Sequence, residues 1–313
     1  MFNFWTKITL NQKKLLMIIK DKNIPRKNKV TEDRLEFYSK KNIPLMSVVE
    51  ISNSGVCNRK CSFCPRSDPD YPDINEFISE KLHTKIFTEL SELNYKGMVI
   101  YSGYVEPLLH KKIYENISEA RKFLPKAQIE IITNGDVLNK SRLIKLFDSG
   151  LSTLLISVYD GPKEEKQFYE LCKEVGLHEG QYVIRNRYMP EDQDFGLNIS
   201  NRSGTLKNAL YSIPELRKSL KTKCNYPAYN FFIDYNGDVQ MCSHDWAKKF
   251  IAGNLNKQKI IDIWLNQKYE FARKKLLSAD RNFSPCNKCD VSGELIGNKH
   301  AKEWSKLNEK VVK

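Results

Sequence analysis

From about residue 46 the chain alternates short β-branched apolar runs with longer segments whose apolar positions recur at helical spacing. Runs of the first kind read as strands and of the second as helices. The strands fall at Ser47–Ser52, Met98–Ser102, Ile129–Thr133, Leu154–Val158 and Tyr182–Arg187, with a weaker sixth at Leu197–Asn201. Between them the pattern predicts helices over Ser79–Leu93, Lys112–Phe123, Lys140–Phe147 and Lys163–Glu174. Strand and helix repeated in this way feed a parallel sheet through right-handed crossovers. Six such units predict an α/β fold, a partial (β/α)6 barrel, with its chemistry gathered where strands end and loops begin.

After about residue 215 the rhythm changes. FFIDYNGDVQMC reads as a hairpin turning at Asn236-Gly237, and Ile260–Leu277 as one continuous helix, followed by the loop NFSPCNKCD. A chain of 313 residues holds one core of ordinary size plus a smaller unit. We therefore divide it into an N-terminal basic amphipathic extension over 1–45, a barrel over 46–215 and a small C-terminal unit over 216–313.

Composition narrows the class. Hydrophobic residues at 41% and charged residues at 28% belong to a globular protein. The net charge of +13 comes mostly from dispersed lysines, without an Arg-rich stripe or nucleic-acid motif. It solubilises the surface or attracts an acidic ligand or lipid, and no nucleic-acid partner is expected. The opening stretch, with Phe2, Phe4, Trp5, Ile8, Leu15, Leu16, Ile18 and Ile19 among lysines, is too interrupted for a membrane span or signal peptide. It reads as a helix packed on the protein's own core, with a membrane surface as the minor alternative. A cytoplasmic protein is expected.

Eight cysteines, clustered rather than spread, suit metal binding better than a disulfide framework. The first predicted strand runs into a CxxxCxxC loop, Cys57, Cys61 and Cys64, with Phe63 before the last thiol. Three protein ligands on a cube of four irons leave one iron open to a small molecule. Structural zinc wants four closed ligands, and this loop offers no fourth.

This loop resembles the hallmark of the radical S-adenosylmethionine superfamily. The resemblance implies that the open iron binds the cofactor's amino and carboxylate groups, and that reductive cleavage yields a 5′-deoxyadenosyl radical. Tyr101-Ser102-Gly103-Tyr104-Val105-Glu106 is similar to the family's glycine-rich segment, which implies that Glu106 pairs with the methionine ammonium. The family has two adjacent glycines there; Gly103 is followed instead by Tyr104 and Val105. Strand-end positions Asn134 and Ser157 are implied at the ribose and carboxylate, and Arg202 as a carboxylate clamp. His110 reads as structural.

The later cysteines Cys224, Cys242, Cys286 and Cys289 comprise a hairpin-flanking pair and a CxxC. They resemble the reduced SPASM domain called twitch, which implies a second, fully ligated 4Fe–4S cluster suited to electron transfer; zinc held by the same four thiolates is the alternative. Cys172 stands alone in a predicted helix, where a buried hydrophobe is the expected role and a hydrogen-atom donor, as in radical epimerases, the lesser one. His244, Asp245 and Asp234 flank the hairpin as unranked candidates for a base or substrate contact.

The expected reaction oxidises a carbinol of a polyhydroxylated, amino- or phosphate-bearing sugar or cyclitol to a ketone, with the second cluster accepting an electron. An external donor such as flavodoxin or ferredoxin is the implied partner. Sugar epimerisation, peptide modification and a plain iron–sulfur electron carrier are the rival readings.

Overall fold

The computed structural model describes residues 21, 23–38, 42–188, 200–208 and 213–311. The apolar stretch from Phe2 to Ile19 lies outside these. The described chain opens with helix α1, Asn23–Asp33, and a short antiparallel pair, β1 (Phe37–Tyr38) and β2 (Ile43–Pro44). Five strands follow in parallel: β3 (Val48–Ile51), β4 (Met98–Tyr101), β5 (Gln128–Thr133), β6 (Thr153–Val158) and β7 (Tyr182–Asn186). Helices α2 (Glu80–Glu92), α3 (Ile113–Phe123), α4 (Lys140–Asp148) and α5 (Pro162–Glu174) connect them. Side chains close the helix starts: Ser79 accepts from the Leu82 N–H and Asn139 from the Arg142 N–H, satisfying donors the first turn leaves unpaired.

The sixth parallel strand differs from expectation. Residues 197–199 lie outside the described chain, and Ser200 and Asn201 form no strand. Instead β8, Asn230–Ile233, the first arm of the predicted hairpin, pairs parallel with β3 on the side away from β4. Its second arm β9 (Asp238–Gln240) and then β10 (Ile251–Asn254) add antiparallel, giving one sheet in the order β10-β9-β8-β3-β4-β5-β6-β7. Burial on both faces explains why the local reading was insufficient. Every residue of Asn230–Ile233 is buried, so the strand belongs at the sheet's centre, whereas its turn reports only the hairpin.

Alternation along the strands separates two faces. Val49, Ile51, Val99, Tyr101, Ile129, Ile131, Leu154, Ile156 and Val158 point outward and pack with Ile86, Phe87, Leu90, Ile117, Leu143 and Leu146 of the helices. Cys172 of α5 sits in this layer with none of its surface exposed. The inner face carries Val48, Met98 and Ile100, packed against Val30, Ile132, Tyr226, Tyr229 and Ile296. Polar residues occupy the same inward positions toward the strand ends: Glu50, Ser102, Ser157, Arg185 and Arg187.

The expected single helix over Ile260–Leu277 is two, α7 (Ile260–Trp264) and α8 (Gln267–Leu277), after the short α6 (Tyr226–Tyr229). Asn266 breaks it, because its side chain caps α8 by accepting from the Tyr269 N–H at 3.0 Å. A last helix α9, Asn298–Val311, lies against α6, α8 and β2. Among the described residues no helix is long and apolar enough to cross a membrane.

Candidate active site

One cavity of about 440 Å³ opens at the strand ends, within the ~300–1,000 Å³ usual for small-molecule sites. Cys57, Cys61, Cys64, Phe63, Gly103, Tyr104, Glu106, Asn134, Ser157 and Arg202 all line it. Cys172 does not; it lies among the helices of the outer layer. His110 edges onto Phe77 and accepts the Lys112 N–H, a structural position, and Asp234 pairs with Lys248.

The cysteine loop is held in place by two arginines, one between the first two ligands and one just after the last. Arg59 reaches Asp136 beyond β5 (Nε to Oδ2 2.7 Å) and Asp160 beyond β6 (Nη1 to Oδ1 2.9 Å), and lies over the Tyr159 ring at 5.2 Å. Tyr159 stacks on Phe63 at 5.7 Å. Arg66, which follows the last cysteine, donates to the carbonyls of Tyr104 at 2.8 Å and Gly55, tying the loop to the glycine segment. Burial raises all three thiols, Cys61 to about 12, so each stays neutral until a metal displaces its proton.

Gly103 takes φ +100, and a Cβ there would come 2.9 Å from the Phe232 ring. Tyr104, the next residue, is buried, its hydroxyl donating to Gln240 Oε1 at 2.8 Å. Glu106 is 2% exposed. Its Oε1 accepts from Thr133 Oγ1 at 2.7 Å and the Leu108 N–H at 3.1 Å, and its Oε2 from the Asn134 N–H at 2.7 Å. All three donors are neutral. Burial therefore wins over them and pushes the carboxyl up to about 7, leaving a pre-oriented acid with no cation paired to it among the described residues.

Arg185 and Arg187, which the sequence-derived site lacks, and Arg202, which it includes, share one property. Arg185, Arg187 and Arg202 each present a buried Nε without a hydrogen-bond partner. Arg187 stands past the end of β7, its N–H bonded to the Val158 carbonyl at 2.7 Å; burial lowers its guanidinium to about 9. Inward alternation from Ser157, whose register partner is Arg185, was the signal that could have found this pair. Arg202 sits on left-handed backbone (φ 49) beside Ser203 (φ 54), and its Nη1 donates to His244 Nδ1 at 3.3 Å. That bond leaves His244 Nε2–H to donate to the Tyr226 oxygen at 3.1 Å, so the tyrosine proton is free for a ligand. The His244 ring is held neutral, lowered to about 3 by burial and then by the charges of Arg202 and Lys27.

The four later cysteines line a second, smaller cavity with Met241, Leu276 and Arg281. Among the described residues no three His, Cys, Asp or Glu side chains converge on a position for a single ion. Thiols ringing a space suit a cube of four irons, whereas tetrahedral zinc draws its ligands to one point about 2.3 Å away. Gly293 confirms how closely the chain hugs this space, since a Cβ there would lie 2.3 Å from Cys224 Sγ. Arg281, 1% exposed, locks the two ligand segments together through the carbonyls of Thr222, Lys223 and Val291 at 2.8–2.9 Å. The two cavities adjoin: Ser243, His244, Asp290 and Val291, next to Cys242 and Cys289, form a wall of the first.

Residues 51–186 match the Radical SAM superfamily, and residues 224–290 match SPASM, an iron-sulfur cluster-binding domain. The chain is a radical S-adenosylmethionine enzyme. The enzyme uses S-adenosylmethionine and two 4Fe–4S clusters. It is 29% identical over 247 residues to the S-adenosyl-L-methionine-dependent 2-deoxy-scyllo-inosamine dehydrogenase of Niallia circulans, covering 79% of this enzyme and 93% of that protein. The crystal structure of BtrN in complex with AdoMet and 2-DOIA superposes with TM-score 0.68 at 28% identity, covering 80% and 95% of the two chains. Native anSMEcpe with bound AdoMet shares the fold at TM-score 0.52 and 14% identity, over 86% and 98%.

Proposed function

We propose that the enzyme oxidises a carbinol of a polyhydroxylated sugar or cyclitol, bearing an amino or phosphate group, to a ketone. The observation that carries this reading is the shared wall: one cavity touches Cys57, Cys61 and Cys64 at one side and the neighbours of Cys242 and Cys289 at the other. When bound, the cofactors supply hydrogen-atom abstraction at the open cluster and electron acceptance at the closed one. Cys57, Cys61 and Cys64 would hold the first cluster, and Cys224, Cys242, Cys286 and Cys289 the second. Glu106 would take the cofactor ammonium, Ser157 and Asn134 its ribose, and Arg187 its carboxylate. The Tyr226 hydroxyl and the Glu50 carboxylate, which already accepts from Ser102 Oγ at 2.6 Å, are placed to hold hydroxyls of the polyol. The relative's name, a cyclitol dehydrogenase, supports the same class. An external flavodoxin- or ferredoxin-type donor would complete the system.

Oxidation removes a carbon-bound hydrogen, a hydroxyl proton and one electron, whereas epimerisation must return a hydrogen to the opposite face. The cavity is lined by no cysteine besides the first three, and Cys172 is walled off in the outer core. The reconstituted enzyme should therefore yield a product lighter by one hydrogen pair, with no solvent deuterium at a non-exchangeable carbon in heavy water, and Cys172→Ala should still turn over. A product of unchanged composition carrying solvent deuterium, lost in Cys172→Ala, would reverse this in favour of epimerisation.

A further inference from the structure

Around the second set of thiols, Cys224, Met241, Ala272, Leu276 and Cys286 form one buried group, closed by the partly buried Tyr226, Cys242, Phe250 and Phe283. Tyr226 also lines the first cavity, which cofactor and substrate would fill. Phe250 instead lines a separate open groove of about 470 Å³ at the surface, between β10 and the start of α8. Its backbone N–H donates to Asp245 Oδ2 at 2.7 Å, and Asp245 lines the thiol cavity itself. Phe271 of α8, 43% exposed, lies in the same groove. Its ring meets the edge of Phe283 at 5.1 Å, and Phe283 meets Phe250 at 6.0 Å. Three rings thus join the surface to the thiol shell.

The groove is basic. Lys248, Lys249 and Lys268 line it and no carboxylate does. Lys248 is committed to Asp234, over the Tyr104 and Tyr235 rings. Lys268 is exposed and donates to the neutral Ile251 carbonyl at 2.8 Å, so its charge is not cancelled. Lys249 is exposed and forms no ion pair among the described residues. Lys274, three residues beyond Phe271, extends the same exposed face of α8. Glu270 lies about 100° around the helix from Phe271, toward Arg273, whose charge it influences. Exposed cations around a half-exposed ring suit a small, transient, electrostatically steered encounter with an acidic surface.

We propose that this groove docks an acidic one-electron carrier protein of the flavodoxin type, which collects the substrate's electron from the second cluster. The inference rests on the proposed oxidation as the source of that electron. In the transfer the cluster loses one electron, and the carrier's flavin gains it together with one proton from solvent. Substrate fills one approach to the thiols, so the carrier takes the other, against Phe250 and Phe271.

The test mixes the anaerobically reconstituted holoenzyme with oxidised flavodoxin, without substrate. Isothermal titration calorimetry should show binding that weakens as salt rises. Lys249→Glu combined with Lys268→Glu should weaken it at least about tenfold, and Lys249→Glu alone severalfold. Lys122→Glu combined with Lys145→Glu, exposed positions on the outer helices α3 and α4, should leave it within about twofold of wild type. Iron content reports that each variant holds both clusters. In stopped flow, protein carrying Cys57, Cys61 and Cys64→Ala, its remaining cluster reduced and the reductant removed, should be reoxidised by sub-saturating flavodoxin. The groove pair of substitutions should slow that reoxidation by the same factor as it weakens binding. No binding by wild type, wild-type affinity in the groove variant, an equal loss from the outer pair, or reoxidation unchanged by the groove substitutions overturns the proposal. Because no substrate is present, a failure of the oxidation reading would appear separately, in product composition.

Discussion

Glu106 shows how much a single side chain's surroundings decide. A carboxyl accepting three hydrogen bonds would ordinarily be acidic, yet all three donors are neutral and burial dominates, so it titrates near neutrality, at about 7. Its folded value is raised, so it favours folding at low pH, and that contribution is lost as pH rises from the ordinary glutamate range through about 7. Binding runs the other way. The carboxyl must be ionised to hold an ammonium, so S-adenosylmethionine affinity should be full above about 7 and fall by up to about tenfold per pH unit below it. Glu106→Gln should bind weakly and without that dependence, with both clusters intact by iron analysis. A parallel pH profile in the variant would remove Glu106 from the ammonium site. The motif around Gly103 pointed to this residue; its protonation behaviour came from burial, only partly offset by Thr133 and Asn134, which no local pattern joins to it.

At the scale of elements, the helices of the C-terminal half are pinned by one arginine. Arg273 of α8 is 2% exposed and lies between the rings of Trp264 (4.0 Å) and Trp304 (3.8 Å), donating to the carbonyls of Pro227 at 2.9 Å and Trp264 at 2.8 Å. Desolvation lowers it to about 9, which its two carbonyls and three neighbouring rings offset. Arg273→Ala strips both hydrogen bonds and the ring contacts, and should cost about 3 kcal/mol of stability in urea unfolding. Amide exchange should rise first in α9, which carries Trp304. Unchanged exchange there would mean that the helix is held by its other contacts. Such a residue reads in sequence as an ordinary helical surface cation. The break at Asn266 escaped for a related reason, since the apolar spacing continues across it and only the cap geometry shows that the helix restarts.

For the whole molecule, the decisive assignment is which thiols serve which cluster. The reconstituted enzyme should hold about eight irons. Replacing Cys57, Cys61 and Cys64 with Ala should leave about four and abolish 5′-deoxyadenosine formation, while replacing Cys224, Cys242, Cys286 and Cys289 should also leave about four. Loss of all iron in either set, or stoichiometric zinc at the second, would break the assignment. The cysteine loop, the strand-helix rhythm and the strand-end polar residues were legible from the amino acids alone, because ligand spacing and side-chain alternation are local properties of the backbone. Tertiary structure decided the rest. Local pattern marks Asn230–Ile233 as a strand but not as the partner of Val48–Ile51, since pairing across so long a separation depends on which surfaces must be buried together. The same holds for Arg202, His244 and Tyr226, separate positions in sequence that hydrogen-bond in a row only once the chain has folded.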